Sequence, residues 1–208
     1  VEPFGAASFT EAKKHQKPVS LDSINKFIDG AAVQKMGDLT FDYCNELLDD
    51  VITVSEGAVC TTILELYNRD AIVVEPAGAL ALTGLNTYDL ERGSNVIVVT
   101  SGSNNDITRM EEIKERSLLN EGVKHYFIVS FPQRAGALKE FVNDVLGPND
   151  DITFFEYVKK HNREKGPVKV GITIGNPKEI GSLRKRMDTH GFYHEYMNEQ
   201  PENLTYFI

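Results

Sequence analysis

Residues Val98 to Asp106 read VVTSGSNND: a branched apolar run, a small hydroxyl-rich turn, and an acidic residue able to open a helix. In an α/β sheet, ligands sit beyond the carboxyl ends of the strands. Gly102 lets backbone approach a ligand closely, and the hydroxyl of Ser101 or Ser103 can donate to a ring nitrogen or a phosphate. As local structure the same residues make an ordinary strand-to-helix turn, and the two readings stand level. Residues Val74 to Ala79 read VEPAGA, which puts the Glu75 carboxylate at the end of an apolar run, before small residues. That suits a site wall, although taken alone a structural turn whose Pro76 starts a helix is the stronger reading. The opening Glu2 to Ser8 has a similar shape. Glu2 and the carbonyl of Ala6 could offer oxygens to a cation, against a plain helix cap at Ser8. Residues Phe131 to Leu138 read FPQRAGAL. Free N–H groups at a following helix start could hold a carboxylate, Arg134 could add a cation, and Gln133 and Gly136 complete the loop.

Other chemistries find little support. The five histidines show no metal-ligand spacing, and Gly191 breaks any helix between His190 and His194. Neither a P-loop nor a GxGxxG pattern is present. Cys44 and Cys60 are too few for a disulfide framework and read as core thiols of a reducing cytoplasm.

These candidates need elements to hold them. Ser8–His15 predicts a short helix, Thr40 a cap for a helix over 41–49, and residues 51–54 a strand. Val59, Ile63 and Leu66 are spaced for a helix over 56–68. Residues 71–74 read as a short strand, 78–85 as a small-residue helix, 95–100 as a strand buried on both faces, and 106–119 as a helix capped near Asp106. Strand–helix alternation predicts an α/β layer with a parallel sheet. After residue 121 the rhythm changes. Strands are expected at 125–131, 152–158, 168–174 and 192–196, with helices at 137–146 and from Pro177. That order is β-α-β-β-α-β, a ferredoxin-like unit with one antiparallel sheet. Lys159 to Arg163 reads as a solvated hairpin.

The bulk properties agree. The 208 residues are 41% hydrophobic and 25% charged, with net charge −9. This is globular composition. The acidity argues against nucleic-acid or anionic-membrane surfaces, and no apolar run approaches the roughly 20 residues of a membrane span. The charge is uneven: residues 1–121 carry 10 Lys+Arg and 20 Asp+Glu, and residues 122–208 carry 12 and 11. The expected domains are therefore 1–121 and 122–208. The opening VEP, without Met, reads like the end of a buried strand and suggests a piece of a longer chain.

Taken together, VEPFGAASFTEA, DGAAVQKMGDLTF, EGAVCTTILELYNRDAIVVEPAGALAL, VTSGSNNDITRMEEIKERSLLNEGVKHYFIVSFPQRAGAL and DDITFFEYVKKHNREKGPVKVGI are specific in combination and span nearly the whole chain. The sequence resembles the C-terminal half of biosynthetic threonine dehydratase. The resemblance implies the end of a fold-type-II pyridoxal-phosphate catalytic domain, followed by a single ACT-like regulatory domain over 122–208. It implies pyridoxal 5'-phosphate as cofactor, threonine as substrate of a deamination to 2-oxobutanoate, and isoleucine and valine as effectors. It also implies a homo-oligomer, dimer or tetramer, and a catalytic half preceding Val1 as partner.

Carried over residue by residue, the family's serine facing the cofactor ring nitrogen falls on Ser101, beside Gly102. Gly30 and Glu75 are expected to line the same pocket, and Gln133, Arg134 and Gly136 to bind the effector. Relatives bind a cation through E-P-x-x-A-x-D; here Ser8 stands where the Asp would be, which weakens Glu2 and Ala6 as metal ligands. The family's Schiff-base lysine, S-x-x-N-H loop and glycine-rich phosphate loop match nothing in these residues, so the chain alone is expected not to turn over threonine. The competing reading is a stand-alone amino-acid-binding module without catalysis. A catabolic dehydratase is disfavoured, because such relatives commonly lack this regulatory tail.

Overall fold

A computed structural model describes residues 1–158, 164–200, 204 and 207. The hairpin expected at Lys159 to Arg163 lies outside the described residues. The chain divides into two compact units, 1–117 and 118–208, four residues before the boundary expected from charge.

In the first unit, β1 (Glu2–Pro3) pairs in parallel with β2 (Thr53–Val54). Around them lie α1 (Ser8–His15), α2 (Asp38–Leu47), α3 (Glu56–Asp70), α4 (Pro76–Leu85) and α5 (Met110–Asn120). The α3 helix starts where Ser55 accepts from the Ala58 N–H, and it ends at Ala71 in the left-handed region. Its spaced Val59, Ile63 and Leu66 are buried with Cys60, against Ala79 and Leu80 of α4. The small residues of α4 permit that approach: Thr83 of α4 donates to Thr62 of α3 at 3.0 Å, and the two helices pack directly.

Three expectations fail here. Helix α2 begins at Asp38 and has no side-chain cap, so Thr40 lies inside it. Residues 71–74 form no strand; only Val74 is buried, and Ile72 and Val73 are about half exposed. Residues 95–100 are neither a strand nor buried: Ile97 is 93% exposed and Val99 71%. Among the described residues no strand is hydrogen-bonded to this run. An apolar run can bury both faces only when paired strands and covering layers flank it.

The second unit is the expected antiparallel sheet, in order β4 (Asp151–Tyr157), β5 (Lys165–Thr173), β3 (Lys124–Pro132) and β6 (His194–Tyr196). Period-2 alternation explains it. Phe127, Val129 and Phe131 of β3, with Val168, Val170 and Ile172 of β5, all lie in one core. Leu183 and Met187 of α7 (Ile180–Thr189) close that face. The first helix departs from expectation. Only α6 (Ala137–Glu140) is α-helical; Phe141–Val145 is a π turn. Phe141 and Val145 are both fully buried there. No helix among the described residues is long and apolar enough to cross a membrane.

Candidate functional site

In the first unit, three segments converge. Glu75 sits extended before α4 and its N–H donates to the Gly102 carbonyl at 3.2 Å. Gly102 is left-handed at φ +45°, and a Cβ there would lie 2.1 Å from Glu75 Oε1. Gly78, in the first turn of α4, is as crowded: a Cβ would meet the Ser101 carbonyl oxygen at 2.0 Å. A Cβ on Gly30 would stand 2.9 Å from the Ala77 Cβ and 3.6 Å from Glu75 Oε1. The structure therefore brings together all four expected pocket residues: Ser101, Gly102, Gly30 and Glu75. Glycine at these positions is what lets three backbones approach one another.

The polar groups of this wall are partly unspent. Ser101 is exposed. Asn105 Oδ1 is buried and accepts no hydrogen bond from the described residues, while its Nδ2 leans on Met110 Sδ at 3.8 Å. Asp106 caps the turn into α5 by accepting from the Thr108 N–H at 2.9 Å, which holds its carboxyl below the usual range. Burial pushes the Cys60 thiol up to about 12, so it offers no thiolate nucleophile near neutral pH. Arg109 is the residue that the sequence reading missed. It lies three positions after the Asp106 cap, and it donates to the Phe27 carbonyl at 2.5 Å.

At the chain start, Glu2 is a cap. Its carboxylate accepts from the Phe9 and Thr10 N–H groups at 2.7 and 2.8 Å and from the Thr10 hydroxyl at 2.7 Å. It does the work expected of Ser8, which lies inside α1 and makes no cap bond. Ala6 is buried. Among the described residues no three His, Cys, Asp or Glu side chains group as a metal site.

In the second unit, a cavity of about 500 Å³ opens beside α6. Phe131, Leu138, Val142, Phe155 and Tyr157 give it an apolar wall, and Arg134 and Gly136 stand at its edge. Gly136, at φ +86°, turns the chain into α6. Arg134 is ion-paired with Glu140. Gln133 does not itself line the cavity but bonds to its wall: its N–H donates to the Glu164 carbonyl at 2.8 Å and its Oε1 accepts from the Tyr157 hydroxyl at 3.4 Å. With only four α-helical residues, α6 has little dipole to hold a carboxylate.

Residues 1–102 match the family model of pyridoxal-phosphate dependent enzymes, which defines the class of the first unit. Residues 115–208 match the C-terminal regulatory domain of threonine dehydratase. The chain belongs to the threonine dehydratase family. It is 55% identical over 203 residues to the biosynthetic L-threonine dehydratase of Bacillus subtilis (strain 168), covering 97% of this chain and 48% of the relative. With the enzyme of the same name from Halalkalibacterium halodurans it is 51% identical over 199 residues, covering 95% of this chain and again 48% of the relative. The chain spans about half the length of the curated relatives it matches. Among solved structures, the processed form of threonine deaminase isoform 2 from Solanum lycopersicum aligns with TM-score 0.51 and 30% identity, over 56% of this chain and 33% of that one.

The family implies pyridoxal phosphate, and the residues present fit it. Glycine at 30 and 102 keeps both turns close against Glu75 and Ala77, where a Cβ would collide. An exposed serine hydroxyl and the unpartnered Asn105 oxygen supply polar contacts at the same turn.

Proposed function

We propose that this chain forms one wall of the cofactor site and the feedback unit of an enzyme that converts L-threonine to 2-oxobutanoate and ammonia, the first step of isoleucine synthesis. The observation that carries the reading is the convergence of Ser101, Gly102, Gly30 and Glu75 on one cradle. When bound, pyridoxal phosphate supplies an electron sink of moderate strength, suited to β-elimination. Ser101 would hold the ring nitrogen through a neutral hydroxyl, which need not protonate it. Gly30 and Gly102 would admit the ring, and Glu75 would line its edge.

The second unit would read isoleucine, with valine as a possible opposing effector. Its apolar cavity suits a branched side chain and Arg134 suits a carboxylate. Effector binding would shift the balance between oligomeric arrangements and so change activity. The setting is a reducing cytoplasm, with no nucleic-acid or membrane partner.

The test is 2-oxobutanoate formation from threonine by the full-length protein carrying this half, comparing S101A and S101D. Both should lose at least tenfold in kcat, and the 208-residue chain alone should release no ammonia. Undiminished turnover by S101D would refute the ring assignment.

A further inference from the structure

The loop that carries Gly30 has little of its own to hold it. Residues 29–31 form a single 3-10 turn, closed by the Ala31 N–H on the Ile28 carbonyl at 2.9 Å. Gly30 is exposed, and Asp29 is spent locally on the Gly30 N–H at 3.0 Å. Phe27 and Ile28 anchor the loop's start in the core and the 29–31 turn packs on α4, while its polar ties come from α5 and the turn before it. The Arg109 guanidinium donates to the Phe27 carbonyl at 2.5 Å, lies 3.7 Å from Asp29 Oδ1, and sits 5.0 Å over the Phe27 ring. About two turns further along, the Arg116 guanidinium stacks on the same ring at 4.3 Å, itself held by Glu112 at 2.8 Å. Phe27 is buried.

We propose that Arg109 is a positioning residue, a clamp that sets the separation between the Gly30 loop and the Ser101–Gly102 turn. This rests on the cofactor-site reading. Arg109 lies only eight positions after Ser101 along the chain, and the segment between them ends in the turn that Asp106 closes on the Thr108 N–H. Its planar fork spans a backbone carbonyl and a carboxylate at once. The more compact ammonium of a lysine reaches one partner at a time. Arg116 steadies Phe27 by its ring face alone and makes no bond to the loop backbone, so its loss should matter less. The clamp acts on Gly30 through Phe27 and Asp29, without touching substrate or cofactor.

The experiment has two arms. In the 208-residue chain, amide exchange is followed at Ala31 and, as an internal control, at Val59 and Ile63 of α3. R109A should speed Ala31 exchange about tenfold or more while the α3 amides hold. R109K should not restore it, and added guanidinium ion should restore it in R109A. Unchanged Ala31 exchange in R109A, or full rescue by lysine, would overturn the clamp. In the full-length enzyme, R109A and R109K should weaken cofactor retention about tenfold and change its visible absorption, with kcat falling more than KM rises. Faster Ala31 exchange with an unaltered cofactor spectrum would keep the clamp but overturn the placing of Gly30 in the cofactor pocket.

Discussion

Gly78→Ala should destabilise the first unit, although alanine is the better helix former. The added Cβ would sit 2.0 Å from the Ser101 carbonyl oxygen and 2.7 Å from that of Gly102. Ordinary contact is about 3.5 Å, so about 1.5 Å must be found. The obstructing atoms are backbone, so no side chain can swing aside. Overpacking of this kind costs about 1–3 kcal/mol. Pushing α4 away also stretches the bond from the Glu75 N–H to the Gly102 carbonyl, about 1 kcal/mol more. The helix propensity gained, about 1 kcal/mol, offsets only that last amount. The net expectation is about 1–3 kcal/mol of destabilisation. Gly181 of α7 is the control, since a Cβ there meets nothing within 4 Å. Gly181→Ala should stabilise its unit by about 0.5–1 kcal/mol. Native-state amide exchange, read on α3 for the first substitution and on β5 for the second, separates the two units. A neutral or stabilising Gly78→Ala would show that α4 does not press on the Ser101–Gly102 backbone, and the cradle would fall with it.

Two further predictions concern the second unit. His125 is buried with both nitrogens engaged, Nε2 at 2.9 Å from the Gly122 carbonyl and Nδ1 at 2.8 Å from the Tyr196 hydroxyl. A carbonyl only accepts, so Nε2 carries a proton, and burial holds the ring's pKa below the ordinary value, which favours the neutral form. A folded pKa below the unfolded one means that the unfolded chain binds the extra proton first. Wild type should therefore lose stability relative to His125→Phe as pH falls below about 6.5, with a constant difference above it; urea midpoints across pH check this. Asp150 is almost wholly buried and accepts from the Gly147 N–H at 2.6 Å and from Arg186 at 3.3 Å. Asp150→Ala strands both donors and should cost about 2–3 kcal/mol in urea denaturation, discounted because Arg186 is one-third exposed.

How much was legible in the sequence depended on whether an element's partners lie near it in the chain. The βαββαβ unit was readable because Val168, Val170 and Ile172 alternate cleanly and every strand finds its neighbour within residues 118–208. The π turn at Phe141–Val145 was not, because apolar residues at helical spacing satisfy an α-helix equally well; burial of both Phe141 and Val145 is a tertiary demand. The run 95–100 misled for the opposite reason. Val96 to Val99 carry the composition of a central strand, yet composition is silent on which strands stand beside it. At the site, Ser101, Gly102 and Glu75 announce themselves as small or charged residues at chain turns. Gly30 does so only by resemblance. Arg109 gives no local signal, because its partners Phe27 and Asp29 lie about 80 residues away.

Effector binding by the second unit is measured by calorimetric titration of the 208-residue chain with isoleucine, with valine and threonine in parallel. Saturable heat with isoleucine or valine, abolished when Leu138→Asp places a carboxylate in the apolar cavity or when Arg134→Ala removes its cation, is the predicted result. No heat with any of the three, or isoleucine binding that survives both substitutions, would contradict the assignment of that cavity as the effector site.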